Sequence, residues 1–310
     1  MTSTTTTPVT KNLPGLVVPP LTPFTSDLKL DAEALERGVN YVVRDCSATM
    51  VVAAGVEAQE YQYLDMTERR ELIRHTIDFV DGRCPVVVGV SHASFKTSIA
   101  LAQYAQDLGA QAVQILAPLR PFGGEATPSE IVGYLDAIGQ ETPLPVMLYL
   151  NSGPGATLSP EVTVELAERE YVHFIKESSR DLSRISRLIE EIDRAGLARY
   201  FTTSQMLLIS LQLGGSGCTL PPPAARLGAL ILRAFLAGDI VEAARLQRQF
   251  SLYPAKWMKQ GLLPTMKASL QILGNSAGDP YPPYPPITGP ELEALRLYLS
   301  TTDIFPEEEN

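Results

Sequence analysis

Cysteine is scarce. Cys46, Cys84 and Cys218 are the three in 310 residues, odd in number, far apart and without a CxxC pair. That pattern argues against a disulfide framework and a zinc site, and all three are expected to be reduced, buried thiols. Histidine is equally sparse: His75, His92 and His173 stand on separate segments without ligand spacing, which disfavours a metal-dependent enzyme and leaves no cofactor to expect. Positive charge is in deficit, with 25 Lys and Arg against 35 Asp and Glu and a net charge of -10, and no basic stripe offsets it. Such a surface repels a phosphate backbone, so nucleic acid is not an expected partner. Long apolar runs are missing as well. "LGALILRAFLAG" is broken by Arg233 and too short for a bilayer, so no membrane segment is expected. The opening "MTSTTTTPVTKN" has neither a basic start before an apolar block nor an Arg-rich amphipathic pattern. Residues 1–13 read as a disordered lead, and a cytoplasmic location is the default.

What is there is a core-forming chain, 45% hydrophobic and 19% charged, long enough for one large α/β domain or two ordinary ones. Eight β-rich runs follow one another: "LVVPPL" from Leu16, "TMVVAA" from Thr49, "PVVVGV" from Pro85, "AVQILA" from Ala112, "LPVMLY" from Leu144, "VHFIK" from Val172, "ARYFTT" from Ala198 and "GSGCTL" from Gly215. Between them lie segments such as "DAEALERGVNYVV", "SIALAQYAQDLGA" and "DLSRISRLIEEI", with apolar residues three and four apart. Ser159 before Pro160 marks a helix start, and Gly109 after Leu108 marks a helix end. Continuous apolar strands alternating with helices suggest a (β/α)8 TIM barrel over residues 14–236. A doubly wound sheet competes, but "PPLTPF" stands where its Gly-rich phosphate turn belongs. Residues 237–310 read as a C-terminal helical extension, with the proline-rich "GDPYPPYPPITGP" as a rigid connector before "ELEALRLYLS".

A barrel puts its chemistry at the C-terminal strand ends. Those positions hold Glu57, Ser91, His92, Arg120, Tyr149, Lys176, Ser204 and Thr219. In "FIKESS" a lysine closes an apolar run directly before a glutamate, and lysine is almost never buried without a partner. Alternation puts Val172, Phe174 and Lys176 on one face and His173, Ile175 and Glu177 on the other, so Lys176 points into the upper barrel and Glu177 toward the helices. Desolvation disfavours an ammonium and can lower an ordinary lysine pKa of about 10.4 by several units. A neutral amine attacks a ketone or aldehyde, and the resulting Schiff base draws electrons from the neighbouring carbon. The proton transfers need a relay, for which Tyr149 on the neighbouring strand is suited.

These residues carry a resemblance. "FIKESS" with Lys176, "VMLYLNS" with Tyr149, the glycines Gly214, Gly215 and Gly217, and "LPTMKASLQILG" around Lys267 are similar to the dihydrodipicolinate synthase and N-acetylneuraminate lyase family, from about Leu16 to Leu299. The resemblance implies a (β/α)8 barrel with a C-terminal helical region, usually a homotetramer and otherwise a homodimer here. It also implies a class I lyase acting on small 2-oxo acids, with the lysine matching Lys176 on the keto carbon and the tyrosine matching Tyr149 relaying protons.

Departures accompany it. Where the family has Gly-Thr-Thr-Gly-Glu, this chain has "AGVEAQE", which keeps Glu60 but puts Glu57 and Ala58 in place of the substrate-holding threonines. A carboxylate there repels a substrate carboxylate unless Glu57 is protonated or another anchor serves. Arg120 in "APLRPFGG" replaces an aromatic and is a good carboxylate binder. The arginine expected shortly after the catalytic tyrosine has no match in "YLNSGPGAT". Glu57, Ala58, Arg120, His92, Ser204 and Thr219 are therefore the expected substrate contacts, and dihydrodipicolinate synthase itself is not the expected activity. A non-catalytic ligand-binding homologue is the alternative, and Glu57 with Arg120 as a surface pair is the plainer reading of those two.

Overall fold

Proline and glycine punctuate the apolar runs, and strands form between them. The computed structural model describes residues 15–57, 60–120 and 126–305; Ala58 and the lead at 1–13 lie outside them. Eight strands, β1 (Gly15–Val18), β2 (Met50–Ala53), β3 (Val86–Gly89), β4 (Ala112–Leu116), β5 (Val146–Leu150), β6 (Val172–Glu177), β7 (Arg199–Thr203) and β8 (Gly217–Thr219), form a closed barrel in chain order. Their pairing is parallel, and β1, β2, β3 and β5 are buried along their whole length. That is why these strands read as unbroken apolar runs: neither face meets water.

Helices follow the strands: α1 (Ala32–Asn40), α2 (Met66–Val80), α3 (Phe95–Asp107), α4 (Pro128–Gly139), α5 (Pro160–Ala167), α6 (Leu182–Leu188), α7 (Leu207–Gln212) and α8 (Pro222–Leu236). Three more, α9 (Ile240–Gln247), α10 (Leu262–Ile272) and α11 (Gly289–Leu299), come after them. Short polar side chains start several of these helices by satisfying first-turn N–H groups. Ser159 caps α5, and Asp65 with Glu68 and Thr127 with Glu130 form capping boxes at α2 and α4. No helix among the described residues is long and apolar enough to cross a membrane.

The chain divides into two compact units. One holds Gly15 and Pro85–Thr219, with β3 to β8. Its pairing registers are regular except between β5 and β6, where Val146 faces Val172 and Met147 faces Phe174. His173 is the extra residue, exposed and bonded at Nε2 to the Glu170 carbonyl. The uninterrupted alternation expected from Val172 to Lys176 is thus broken by a bulge, because a polar ring is turned out to its own turn. Beyond it, Phe174 and Lys176 keep one face. The glycine that opens β8 has a steric cause: Gly217 has φ +123°, and a Cβ there would lie 1.9 Å from the Gly15 carbonyl oxygen.

The other unit holds Leu16–Cys84 and the chain from Leu220 onward. It buries an ion pair between Lys267 on α10 and Glu60, 2.9 Å apart and 2% exposed on both sides. Glu60 also accepts the Tyr281 N–H at 2.9 Å, and Lys267 Nζ donates to the Asp279 carbonyl at 2.8 Å. Burial pushes the Glu60 carboxyl up and the Lys267 ammonium down, and each one's opposite charge pulls the other back toward the ionised form. Phe24 and Tyr63 pack on the Tyr281 ring. Of the cysteines, Cys46 and Cys218 are fully buried as expected, whereas Cys84, just before β3, is only half-buried.

Candidate active site

Two consecutive charged residues, Lys176 and Glu177, end β6 with 2% and 3% exposure. Burying adjacent charges requires separate partners for each, and strand alternation supplies them. Glu177 faces the helices, where Arg184 of α6 pairs with it at 3.0 Å and the Tyr200 hydroxyl donates to it at 2.5 Å. Burial first, and the Glu177 charge second, raise Tyr200 well above its ordinary pKa, so it stays a donor. Glu177 is thus paired with Arg184 and not with the lysine beside it in the chain.

Lys176 lies on the opposite face. Its register partners are Tyr149 on β5 and Phe201 on β7. In a parallel ladder, partners point the same way, so the Lys176 and Tyr149 side chains meet: Nζ sits 4.2 Å from the Tyr149 ring centroid. Nζ donates to Ser178 Oγ at 2.5 Å, and that Oγ lies 3.3 Å from the Tyr149 hydroxyl. Asn151 Nδ2 donates to the same hydroxyl at 2.8 Å, with Asn151 Oδ1 held by the Gly153 N–H at 3.1 Å. Cys218 is the fully buried neighbour on β8; burial pushes its thiol up, against the pull of the Lys176 charge, so it offers a thiol rather than a thiolate.

Ser178 and Asn151 were not among the sequence candidates. Both also line a polar cavity of about 200 Å³ with Thr157, Ser179, Glu177 and Arg184. Sequence reasoning reaches Lys176 and Tyr149 but stops two residues short of each, although period-2 alternation continued past the strand ends would have singled out the positions that share their faces.

The other expected contacts are placed variously. Thr219 ends β8, 3% exposed, and its hydroxyl has no hydrogen-bond partner among the described residues. Ser204 opens the turn after β7 and donates to Gln205 Oε1 at 3.2 Å. His92 is exposed; its Nδ1 accepts the Ser94 N–H at 2.9 Å and its carbonyl accepts the Tyr134 hydroxyl at 2.6 Å. Ser91 Oγ accepts the Leu116 N–H at 2.9 Å. Arg120 grips Glu130, the capping residue of α4, through both oxygens, with a shortest distance of 2.8 Å. Arg120 and then Thr127 lower the Glu130 carboxyl to about 2. Ser204 and Arg120 thus bond to residues along their own stretch of chain, whereas His92 is also held by Tyr134 of α4. In the other unit, both carboxylate oxygens of Glu57 are buried.

Comparison with known proteins adds the lineage. Residues 12–302 match the model of the dihydrodipicolinate synthetase family. The 4-hydroxy-tetrahydrodipicolinate synthase of Methanopyrus kandleri is 29% identical over 300 residues, 94% of this chain and 97% of the relative. The crystal structure of dihydrodipicolinate synthase DapA-2 from Bacillus anthracis superposes with a TM-score of 0.84 at 25% identity, covering 94% of this chain and 98% of that one. YagE, a prophage protein of the same family from E. coli K12 crystallised with pyruvate, shares the fold, with a TM-score of 0.83 at 23% identity over 94% and 99% of the two chains. The expectation that dihydrodipicolinate synthase itself is not the activity finds no support here, since the relatives matched along nearly their whole length carry that name. The chain belongs to the dihydrodipicolinate synthetase family.

Proposed function

We propose that this chain is a Schiff-base-forming lyase, an aldolase or hydro-lyase, that acts on a small carbonyl compound of the 2-oxo acid class, with Lys176 as the nucleophile and Tyr149 as the proton relay. The observation that carries this reading is the buried Lys176 amine lying 4.2 Å over the Tyr149 ring, with Glu177 engaged by Arg184 on the other face of the strand. An amine held that way is oriented for attack on a carbonyl, and a phenol beside it handles the protons of carbinolamine formation and loss of water. The unsatisfied Thr219 hydroxyl supports a polar substrate, because a buried donor left without a partner costs about 1–3 kcal/mol until something fills the place. The pyruvate bound by YagE supports a 2-oxo acid as the class.

Borohydride trapping tests the reading. The protein is incubated with pyruvate and, separately, with other 2-oxo acids, aldehydes and ketones, then reduced and analysed by intact and peptide mass. A stoichiometric adduct on the Lys176 peptide, lost in Lys176→Ala, is the expected result. No adduct from any carbonyl would overturn the reading in favour of a ligand-binding homologue without turnover.

A further inference from the structure

Ser178 lies between the two residues of the proposed chemistry. Its Oγ is 2.5 Å from Lys176 Nζ and 3.3 Å from the Tyr149 hydroxyl. Nζ lies over the face of the Tyr149 ring, whereas a phenolic O–H lies in the plane of its ring. A group beside both is therefore what brings the amine's proton to the phenol's oxygen. Its position is fixed from the backbone: the Ser178 N–H donates to the Leu150 carbonyl at 3.1 Å, at the end of β5.

The donor and acceptor roles give the chain a direction. Asn151 Nδ2 donates to the Tyr149 oxygen, and the amide cannot be reversed without facing the Gly153 N–H with another N–H. The loop carrying Asn151 is itself closed, with the Asn151 N–H on the Ala156 carbonyl and the Gly155 N–H on the Asn151 carbonyl, both at 3.0 Å. With Asn151 donating to its oxygen, Tyr149 keeps its own proton to give to the substrate, and the phenol oxygen still has a lone pair for the Ser178 hydroxyl 3.3 Å away. A serine hydroxyl can accept one proton while donating another, which a pure donor or acceptor cannot do.

We propose that Ser178 is a catalytic residue, the hydroxyl that carries protons between Lys176 Nζ and Tyr149 during Schiff-base formation; this rests on the Schiff-base reading of Lys176. Attack of Nζ on the carbonyl carbon forms the C–N bond and moves the carbonyl π pair onto oxygen. Nitrogen then holds one proton too many and oxygen a negative charge. Ser178 takes the nitrogen's proton as its own passes to the Tyr149 oxygen, and the phenolic proton goes to the carbinolamine oxygen. Both hydroxyls end as they began. In the second step Tyr149 protonates the carbinolamine hydroxyl, the C–O bond breaks with its pair as water leaves, and the nitrogen lone pair forms C=N. The products are water, the protonated Schiff base that can draw electrons from the neighbouring carbon, and the Tyr149 phenolate, which balances its charge and is the base for the proton transfers that follow. No further reactant is needed.

The experiment is the trapping reaction run as a rapid-quench time course with pyruvate, 2-oxobutyrate and acetaldehyde, on wild type, Ser178→Ala and Ser178→Thr. Ser178→Ala is expected to reach the wild-type adduct stoichiometry at long times, which shows the site is folded, while forming the adduct about 10²-fold more slowly. Ser178→Thr, which keeps the hydroxyl, is expected to stay within a few fold of wild type. Wild-type trapping with an equally fast Ser178→Ala overturns this proposal alone, as does a Ser178→Thr as slow as Ser178→Ala. A wild type that traps none of the three overturns the Schiff-base reading for them and this proposal with it.

Discussion

Tyr149 has two separable roles at the scale of the single residue. Its ring lies under the Lys176 amine, and its hydroxyl joins Ser178 and Asn151. Phenylalanine keeps the first and deletes the second. Tyr149→Phe is expected to fold as wild type does and to trap carbonyl at Lys176 at long times, because the ring still supports the amine. Turnover of any substrate identified by trapping is expected to fall about 10²–10⁴-fold, the range for a lost general acid–base group. Steady-state kinetics on the two proteins checks this, and an unchanged kcat would leave Tyr149 a core aromatic with a satisfied hydroxyl. The split between adduct and turnover matters because a packing role alone lowers both together.

At the scale of the element, the proline-rich connector shows how a segment without regular structure is held. Pro280, Pro282, Pro283, Pro285 and Pro286 have no N–H to donate. The segment is pinned through the Tyr281 N–H on Glu60 and the Asp279 carbonyl on Lys267, at a buried ion pair. Lys267→Met leaves Glu60 buried without its counter-charge and is expected to destabilise the protein by about 3–5 kcal/mol in urea denaturation. Adding Glu60→Gln, which removes the stranded charge and keeps an acceptor for Tyr281, is expected to restore part of that loss; a double variant no better than the single one would mean that the pair's charge is not what matters. Much of this scale was legible in the sequence. The eight strands lie inside the eight apolar runs or within a residue of them, because burial on both faces writes itself as Val and Ile in succession. Ser159, Pro160 and Gly109 mark helix ends through local chemistry. The bulge at His173 was not legible, since its cause is a turn bond to Glu170 rather than a hydrophobic pattern. Nor were the partners of Arg120 and Glu177, which lie 10 and 7 residues along the chain across a loop whose closure no periodicity announces. Lys176 and Tyr149 could be found because strand ends of a barrel carry chemistry. Ser178 and Asn151 lie just past the strands, where the side chains still alternate but the apolar run that marks a strand has ended.

At the scale of the whole molecule, the three thiols sample both units: Cys46 and Cys84 in one, Cys218 in the other. Burial raises all three, Cys84 to about 11 and Cys46 to about 12, with Cys218 higher still. Only the thiolate reacts with an alkylating reagent. At pH 8, a shift from the ordinary 9.0 to about 11 leaves roughly 100-fold less thiolate, and a shift to about 12 roughly 1000-fold less, by the tenfold-per-unit titration law. Access orders them the same way, since Cys84 is half-buried and the other two are closed to solvent. Native protein treated with iodoacetamide is therefore expected to label first at Cys84, with a rate that climbs about tenfold per pH unit from 8 to 10, because deprotonation is still far from complete over that range. Cys46 and Cys218 are expected to label only as their own units open, and denatured protein to label at all three sites alike. Peptide mapping of timed samples reads each site separately. Labelling of native Cys218 as fast as Cys84 would show that the end of the barrel beside Lys176 admits reagent and solvent, and that the thiol ionises near the Lys176 charge.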